Sequence, residues 1–178
     1  MDQTWALLIY IVPAVPSRKR AFVWRELKKV GAVYLRDGVC ALPDREGTIA
    51  HLRAIAAKVE EFDGQATLVE AAHLDADRAE ALVARSRADR AAEYAEIIRE
   101  AEGLLDHVRR EAAHRAFTPG ELGALVSDLA KLRRWLGQVR ARDYFGGSEA
   151  ARADEFAARC EQALGAFAAT AAAQAAAR

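Results

Sequence analysis

Eight consecutive apolar residues, Trp5-Ala6-Leu7-Leu8-Ile9-Tyr10-Ile11-Val12, run up to Pro13. A continuous run rich in β-branched and aromatic side chains that stops at a proline predicts a strand buried on both faces, so something must cover each side of it. Ser17 is placed to cap a helix that continues to about Val30, with Val23, Leu27 and Val30 on its buried stripe and Gly31 as its stop. Residues 33–36 and 39–42 read as two short strands around Asp37-Gly38, a dipeptide suited to a two-residue hairpin turn with positive φ. Between residues 48 and 62, Ile49, Leu52, Ile55, Ala56 and Val59 recur at helical spacing, and Asp63-Gly64 ends the run. Residues 66–72 then predict a last strand. Strand, helix, hairpin, helix, strand is the ferredoxin-like βαββαβ plan.

After Asp75 the pattern is helical throughout. Asp77 and Glu80 have capping-box spacing, and Tyr94, Ile98, Ala101, Leu105, Val108 and Ala112 follow steps of four and three residues. Thr118-Pro119-Gly120-Glu121 is a second helix start, because Thr118 can cap, Pro119 suits the first turn and Glu121 can reach back. Leu122, Leu125, Leu129, Leu132, Leu136 and Val139 stripe that helix, which ends at Gly146-Gly147. Ser148 starts a third, striped by Ala153, Phe156, Cys160, Leu164 and Phe167, and the alanine-rich last dozen residues are expected to fray. The predicted class is α+β: a ferredoxin-like domain over residues 1–75 and a three-helix region over 76–178.

Composition narrows the function. The chain of 178 residues is 52% hydrophobic and 29% charged, which excludes a wholly disordered protein. Its formal net charge is zero, with ten basic and ten acidic side chains up to residue 75 and sixteen of each after it. A nucleic-acid surface must therefore be a local patch. The first apolar run is too short to span a bilayer and lacks a basic start, so neither a membrane partner nor a signal peptide is expected. Cys40 and Cys160 form no metal-binding spacing and lie within apolar patterns, which suits core residues in a reducing, cytoplasmic compartment. His51, His73, His107 and His114 are scattered, and no metal or other cofactor is expected from them. A phosphate-binding glycine loop, a serine nucleophile elbow and an HExxH helix are all missing from the sequence, which argues against an enzyme.

Two basic groups stand out. Residues 17–36 carry seven cations against one acid, Glu26, and the helix begins Ser17-Arg18-Lys19-Arg20. Cations in the first turn oppose the helix dipole by about 0.3 to 1 kcal/mol each when exposed, and a bound anion reverses that sign. On the wheel Arg18, Arg25, Lys28 and Lys29 lie opposite the buried stripe, with Arg20 and Trp24 on one flank. Contact with a nucleic-acid backbone is one reading and a solvated basic face the other. The second group, Arg133, Arg134, Arg140 and Arg142, is expected on the long helix around Trp135. Arginine forks can hold a tetrahedral oxyanion through paired hydrogen bonds, and Asp128 and Asp143 can equally balance this face in solvent.

Five segments, in order and spacing, resemble the N-terminal part of the chromate-resistance regulator family ChrB. They are the opening strand from Trp5, the helix Arg20-x-x-x-Trp24-Arg25-x-Leu27-Lys28-x-x-Gly31-Ala32, and Leu35-Arg36-Asp37-Gly38-Val39 leading to Leu42-Pro43. Leu132-Arg133-Arg134-Trp135-Leu136 and Arg140-Ala141-Arg142-Asp143-Tyr144-Phe145 complete the set. At the level of fold the first half is also similar to the phenylacetate-operon repressor family and to small CRISPR-associated nucleases. The nucleases place an acidic metal ligand at the end of the first strand, where this chain has Val12-Pro13. The resemblance implies a non-enzymatic, cytoplasmic, DNA-binding transcriptional regulator of a chromate-resistance operon, acting as a homodimer on duplex DNA. Its alternative is an accessory module that does not bind DNA and serves chromate resistance through a separately encoded sensor domain. The expected DNA-binding residues are Arg18, Lys19, Arg20, Arg25, Lys28 and Lys29, and the expected ligands of a chromate oxyanion are Arg133, Arg134, Arg140 and Arg142. Longer members of that family carry a second chromate-resistance domain, so a separate protein bearing that domain is an expected partner.

Overall fold

A computed structural model describes residues 3–114 and 119–176. The chain divides into two compact units, one of the residues up to Ala88 with Arg142–Phe145, the other of Asp89–Ala141 with the residues from Gly146 onward. The first unit contains β1 (Trp5–Ile11), α1 (Ser17–Lys29), β2 (Val33–Arg36), β3 (Val39–Pro43), α2 (Glu46–Glu61), β4 (Gln65–Ala72) and the opening turns of α3 (Ala76–His114). The second contains the remainder of α3 with α4 (Pro119–Ala141) and α5 (Ser148–Ala176).

The four strands form one antiparallel sheet in the order β2-β3-β1-β4, which is the ferredoxin-like arrangement. Helices α1 and α2 cover the face that presents Ala6, Leu8, Cys40 and Leu42, against which Val23, Leu27, Leu52, Ile55 and Val59 are buried. On the opposite face Trp5, Val33 and Ala41 pack with Leu82 of α3 and with Phe145, whose ring centroid is 5.8 Å from that of Trp5. The cover ends there, because Ile9 and Ile11 on the same face are 44% and 70% exposed. The expectation that β1 is buried on both sides therefore holds for its first half only. One turn of helix and one aromatic ring cover the sheet near Trp5 and do not reach its far end.

Local chemistry explains the element ends and corrects several expected caps. Pro16, not Ser17, occupies the N-cap of α1. Its C-terminus is a Schellman motif: Ala32 N–H donates to Leu27 O at 3.0 Å and Gly31 N–H to Lys28 O at 3.0 Å, with Gly31 at φ 75°. Helix α2 repeats the motif with an aspartate in the left-handed position, Asp63 at φ 61°. It starts two residues before the expected Thr48, which is buried and accepts from Arg45 N–H at 3.1 Å while its own hydroxyl reaches Pro43 O. Asp75, not Asp77, caps α3, accepting from Arg78 N–H at 2.9 Å; Asp77 lies in the first turn and still faces the positive end of the dipole. The expected cap at Thr118 lies outside the described residues. At the hairpin only Gly38 has positive φ, because the β2–β3 register shifts between Tyr34 and Arg36 and that irregularity supplies part of the twist.

The three helical stripes of the second unit meet in one core built on Tyr94, Ile97, Ala101, Leu105 and Val108 of α3, Leu125, Leu132, Leu136 and Val139 of α4, and Ala153, Cys160, Leu164 and Phe167 of α5. Two stripe positions differ from expectation. Ala112 is exposed, and Ala157 is buried where Phe156 was expected, leaving the Phe156 ring half-buried with the Arg159 guanidinium 4.7 Å above it. No helix among the described residues is long and apolar enough to cross a membrane.

Both thiols are free and buried. Burial pushes the Cys40 thiol up to about 12 and raises that of Cys160, whose Sγ donates to Ala101 O at 3.3 Å. Thiolate is therefore scarce at neutral pH. Iodoacetamide is expected to leave both cysteines unmodified in the native protein and to label both after denaturation, as read by mass spectrometry. Gly38 supplies a second test, since a Cβ there would lie 2.5 Å from Tyr10 O in a backbone of φ 72°. Gly38→Ala is expected to destabilise the protein by ~1–3 kcal/mol in chemical denaturation. Gly47→Ala, in open space on α2, should be neutral or mildly stabilising.

Candidate nucleic-acid interface

Val23 and Leu27 anchor α1 to the sheet with no exposed surface, which turns its opposite face outward as the wheel requires. Arg18, Arg20, Arg25 and Lys29 are exposed there, Lys28 is half-buried, and the indole of Trp24 is 53% exposed. The first turn contains no acidic residue, so the positive end of the helix and the positive side chains coincide.

The six expected DNA-binding cations divide by what they touch. Lys19 is tied into the fold: its Nζ donates to Phe62 O and to Asp63 Oδ2, each at 3.0 Å, and lies 5.7 Å from the centre of the Phe62 ring. It thereby satisfies the carbonyl end of α2. Lys29 pairs with Glu26 at 2.6 Å on the solvent side, a contact worth little because both ends are wet. Among the described residues Arg18, Arg20 and Arg25 have neither an ion pair nor a hydrogen bond through their side chains. These three, with the exposed Trp24 between them on the helix surface, form a cationic strip.

The distal arginines are not brought together. On α4 Arg133 pairs with Glu161 of α5 at 2.6 Å, Arg140 pairs with Asp154 of α5, and Arg134 is exposed. Arg133 and Arg140 border a cleft of about 330 Å³ that Asp154 and Glu161 also line, so an oxyanion entering it meets two carboxylates as well as two guanidinium groups. Arg142 belongs to the other compact unit. Its segment is locked to the sheet domain: Tyr144 Oη donates to Val30 O at 2.8 Å, the Arg45 guanidinium lies 5.7 Å from the Tyr144 ring, and Arg87 donates to Phe145 O. Tyr144 and Phe145 thus carry a folding role.

Sequence reasoning missed one contact of the sheet unit. Arg45, exposed at the start of α2, has a structural partner ninety-nine residues away in Tyr144, a separation no local pattern reveals. Trp24 was placed on a flank of the basic face, and its degree of exposure depends on what packs beside α1. Tyr10 and Tyr34 hydrogen-bond to each other at 3.0 Å on the helix-covered face of the sheet, and burial raises both phenols above their ordinary range, so neither is a neutral-pH base. The cluster of potential metal ligands found among the described residues, His107, Glu111 and Glu121, belongs to the second unit.

Comparison with known proteins gives a consistent result. Residues 20–177 match the family described as "Protein ChrB, N-terminal". The chain is 29% identical over 153 residues to a protein named "Protein ChrB" from Cupriavidus metallidurans, an alignment that spans 86% of this chain and 44% of that protein. The chain thus spans less than half the length of that curated relative. The family match starts at the basic helix, runs through the hairpin and both arginine segments, and covers most of the chain, and on that ground the chain belongs to the ChrB N-terminal family.

Proposed function

We propose that this chain is a non-catalytic, DNA-binding transcriptional regulator of chromate resistance that holds the duplex backbone with the outer face of α1. The observation that carries the reading is the set of three exposed arginines, Arg18, Arg20 and Arg25, that have no partner among the described residues, on a helix whose first turn is already positive. Left in solvent, that arrangement costs stability; beside phosphate each term changes sign. Because the net charge is zero, the attraction is local to this face, and DNA is held where these cations concentrate.

The chromate context rests on membership in the ChrB N-terminal family. Arg133 and Arg140 already hold carboxylates, which favours a division of labour in which chromate is sensed by a second domain, in this or another polypeptide, and α1 holds DNA. A homodimer fits the reading, since two copies present two basic helices to successive turns of a duplex. The uncovered strip at Ile9 and Ile11 is apolar surface that a second copy can bury.

The double variant Arg18→Ala/Arg25→Ala is expected to weaken binding to all duplex sequences alike and to flatten the log–log salt dependence by about two units, at roughly 0.9 per phosphate. Its stability should stay within about 0.5 kcal/mol of the parent, because both side chains are exposed and unpaired. Lys19→Ala should do the reverse, lowering stability by ~0.5–1 kcal/mol through the lost cap of α2 while changing DNA affinity little. Titration of labelled duplex from the promoter of its own gene at several salt concentrations, with denaturation curves of each variant, checks both. Unchanged affinity in the folded double variant would favour an accessory module that works through another chain.

A further inference from the structure

The two ends of the α3–α4 connection bring a histidine and two glutamates together. His107 and Glu111 are one helical turn apart on α3 and so project from the same face, while Glu121 stands in the first turn of α4. His107 Nε2 is 3.1 Å from Glu121 Oε1 and 3.7 Å from Glu111 Oε1, and the three potential ligand atoms all lie within 4.8 Å of one another. All three side chains are half-buried. From sequence, His107 invited comparison with His114, one heptad on; in the structure its neighbours are two carboxylates.

That geometry poses an electrostatic problem. Two carboxylates this close repel each other, and more so where burial removes water from between them. The His107 ring nitrogen stands within reach of both, hydrogen-bonding with Glu121 and pairing with Glu111. A cation at the point where the three atoms converge would bind all of them at once. A tetrahedral ion with bonds of about 2.1 Å holds its ligand atoms about 3.4 Å apart, and the two distances from Nε2 bracket that value. His107 also lies on the wall of a cavity of about 790 Å³ in the same unit, beside Leu104, Asp128 and Trp135.

We propose that His107, Glu111 and Glu121 form a binding site for a divalent transition-metal ion, with Zn²⁺ as the best match. One imidazole nitrogen and two carboxylate oxygens suit a borderline ion, and three protein ligands leave a fourth position for water. Because two ligands come from α3 and one from α4, the ion cross-links the two helices and stabilises the second unit when bound. The site is independent of the DNA-binding reading, as none of its residues lies on α1.

Calorimetry of the tag-free, metal-stripped full chain with Zn²⁺ near neutral pH is expected to show one ion per chain and a raised melting temperature. Co²⁺ in its place should give the visible absorption of a tetrahedral complex. His107→Gln and Glu121→Gln are each expected to weaken Zn²⁺ by more than about tenfold with unchanged helix content, since the site would lose a third of its ligands. Mg²⁺ at the same concentration should leave the melting temperature unchanged, because it prefers an all-oxygen shell. Absence of binding heat, equal Zn²⁺ affinity in both variants, or an equal response to Mg²⁺ would each overturn the proposal.

Discussion

Burying Trp5 is the requirement on which the first unit depends. The indole has no exposed surface, and no single layer can achieve that for a residue on a sheet that already has two helices on its other face. The cover comes from Leu82 on the opening turns of α3 and from Phe145, and Arg142–Phe145 accordingly belongs to the sheet unit although it follows α4 in sequence. Tyr144 and Phe145 hold that segment in place through Val30, Arg45 and Arg87. The burial has a cost, since the Trp5 indole N–H has no hydrogen-bond partner among the described residues and an unmet buried donor is worth about 1–3 kcal/mol. An indole ring of this size returns more than that in apolar burial.

Because α1 is fixed by Val23 and Leu27 on one side, its other side is free to carry charge. The cations then separate by reach. Lys19, nearest α2, finishes that helix; Lys29 balances Glu26; Arg18, Arg20 and Arg25 face solvent with no ion-pair partner among the described residues. A face of this kind concentrates positive potential while the whole chain stays neutral, so its effect is short-ranged and falls with salt. The distal arginines show the opposite outcome. Glu161 and Asp154 of α5 meet Arg133 and Arg140 of α4 across the helix pair, and two groups of similar composition thus end in different electrostatic states.

The hydrophobic periodicity of the chain determined its secondary structure, its antiparallel ferredoxin-like plan and the stripes of three long helices, because periods of two and of three to four residues leave each element a single face to bury. Gly31 and Gly38 were legible for the same local reason, since a left-handed backbone is where a side chain costs most. The outward basic face of α1 was legible too, being the complement of its buried stripe. Relations across long separations were decided only in three dimensions: the return of Tyr144 and Phe145 to the sheet, the use of Lys19 by α2, the neutralisation of Arg133 and Arg140, and the meeting of His107 and Glu111 with Glu121. Each depends on which surfaces lie within a few ångströms after packing, and pairwise contact between distant residues leaves no periodic trace along the chain.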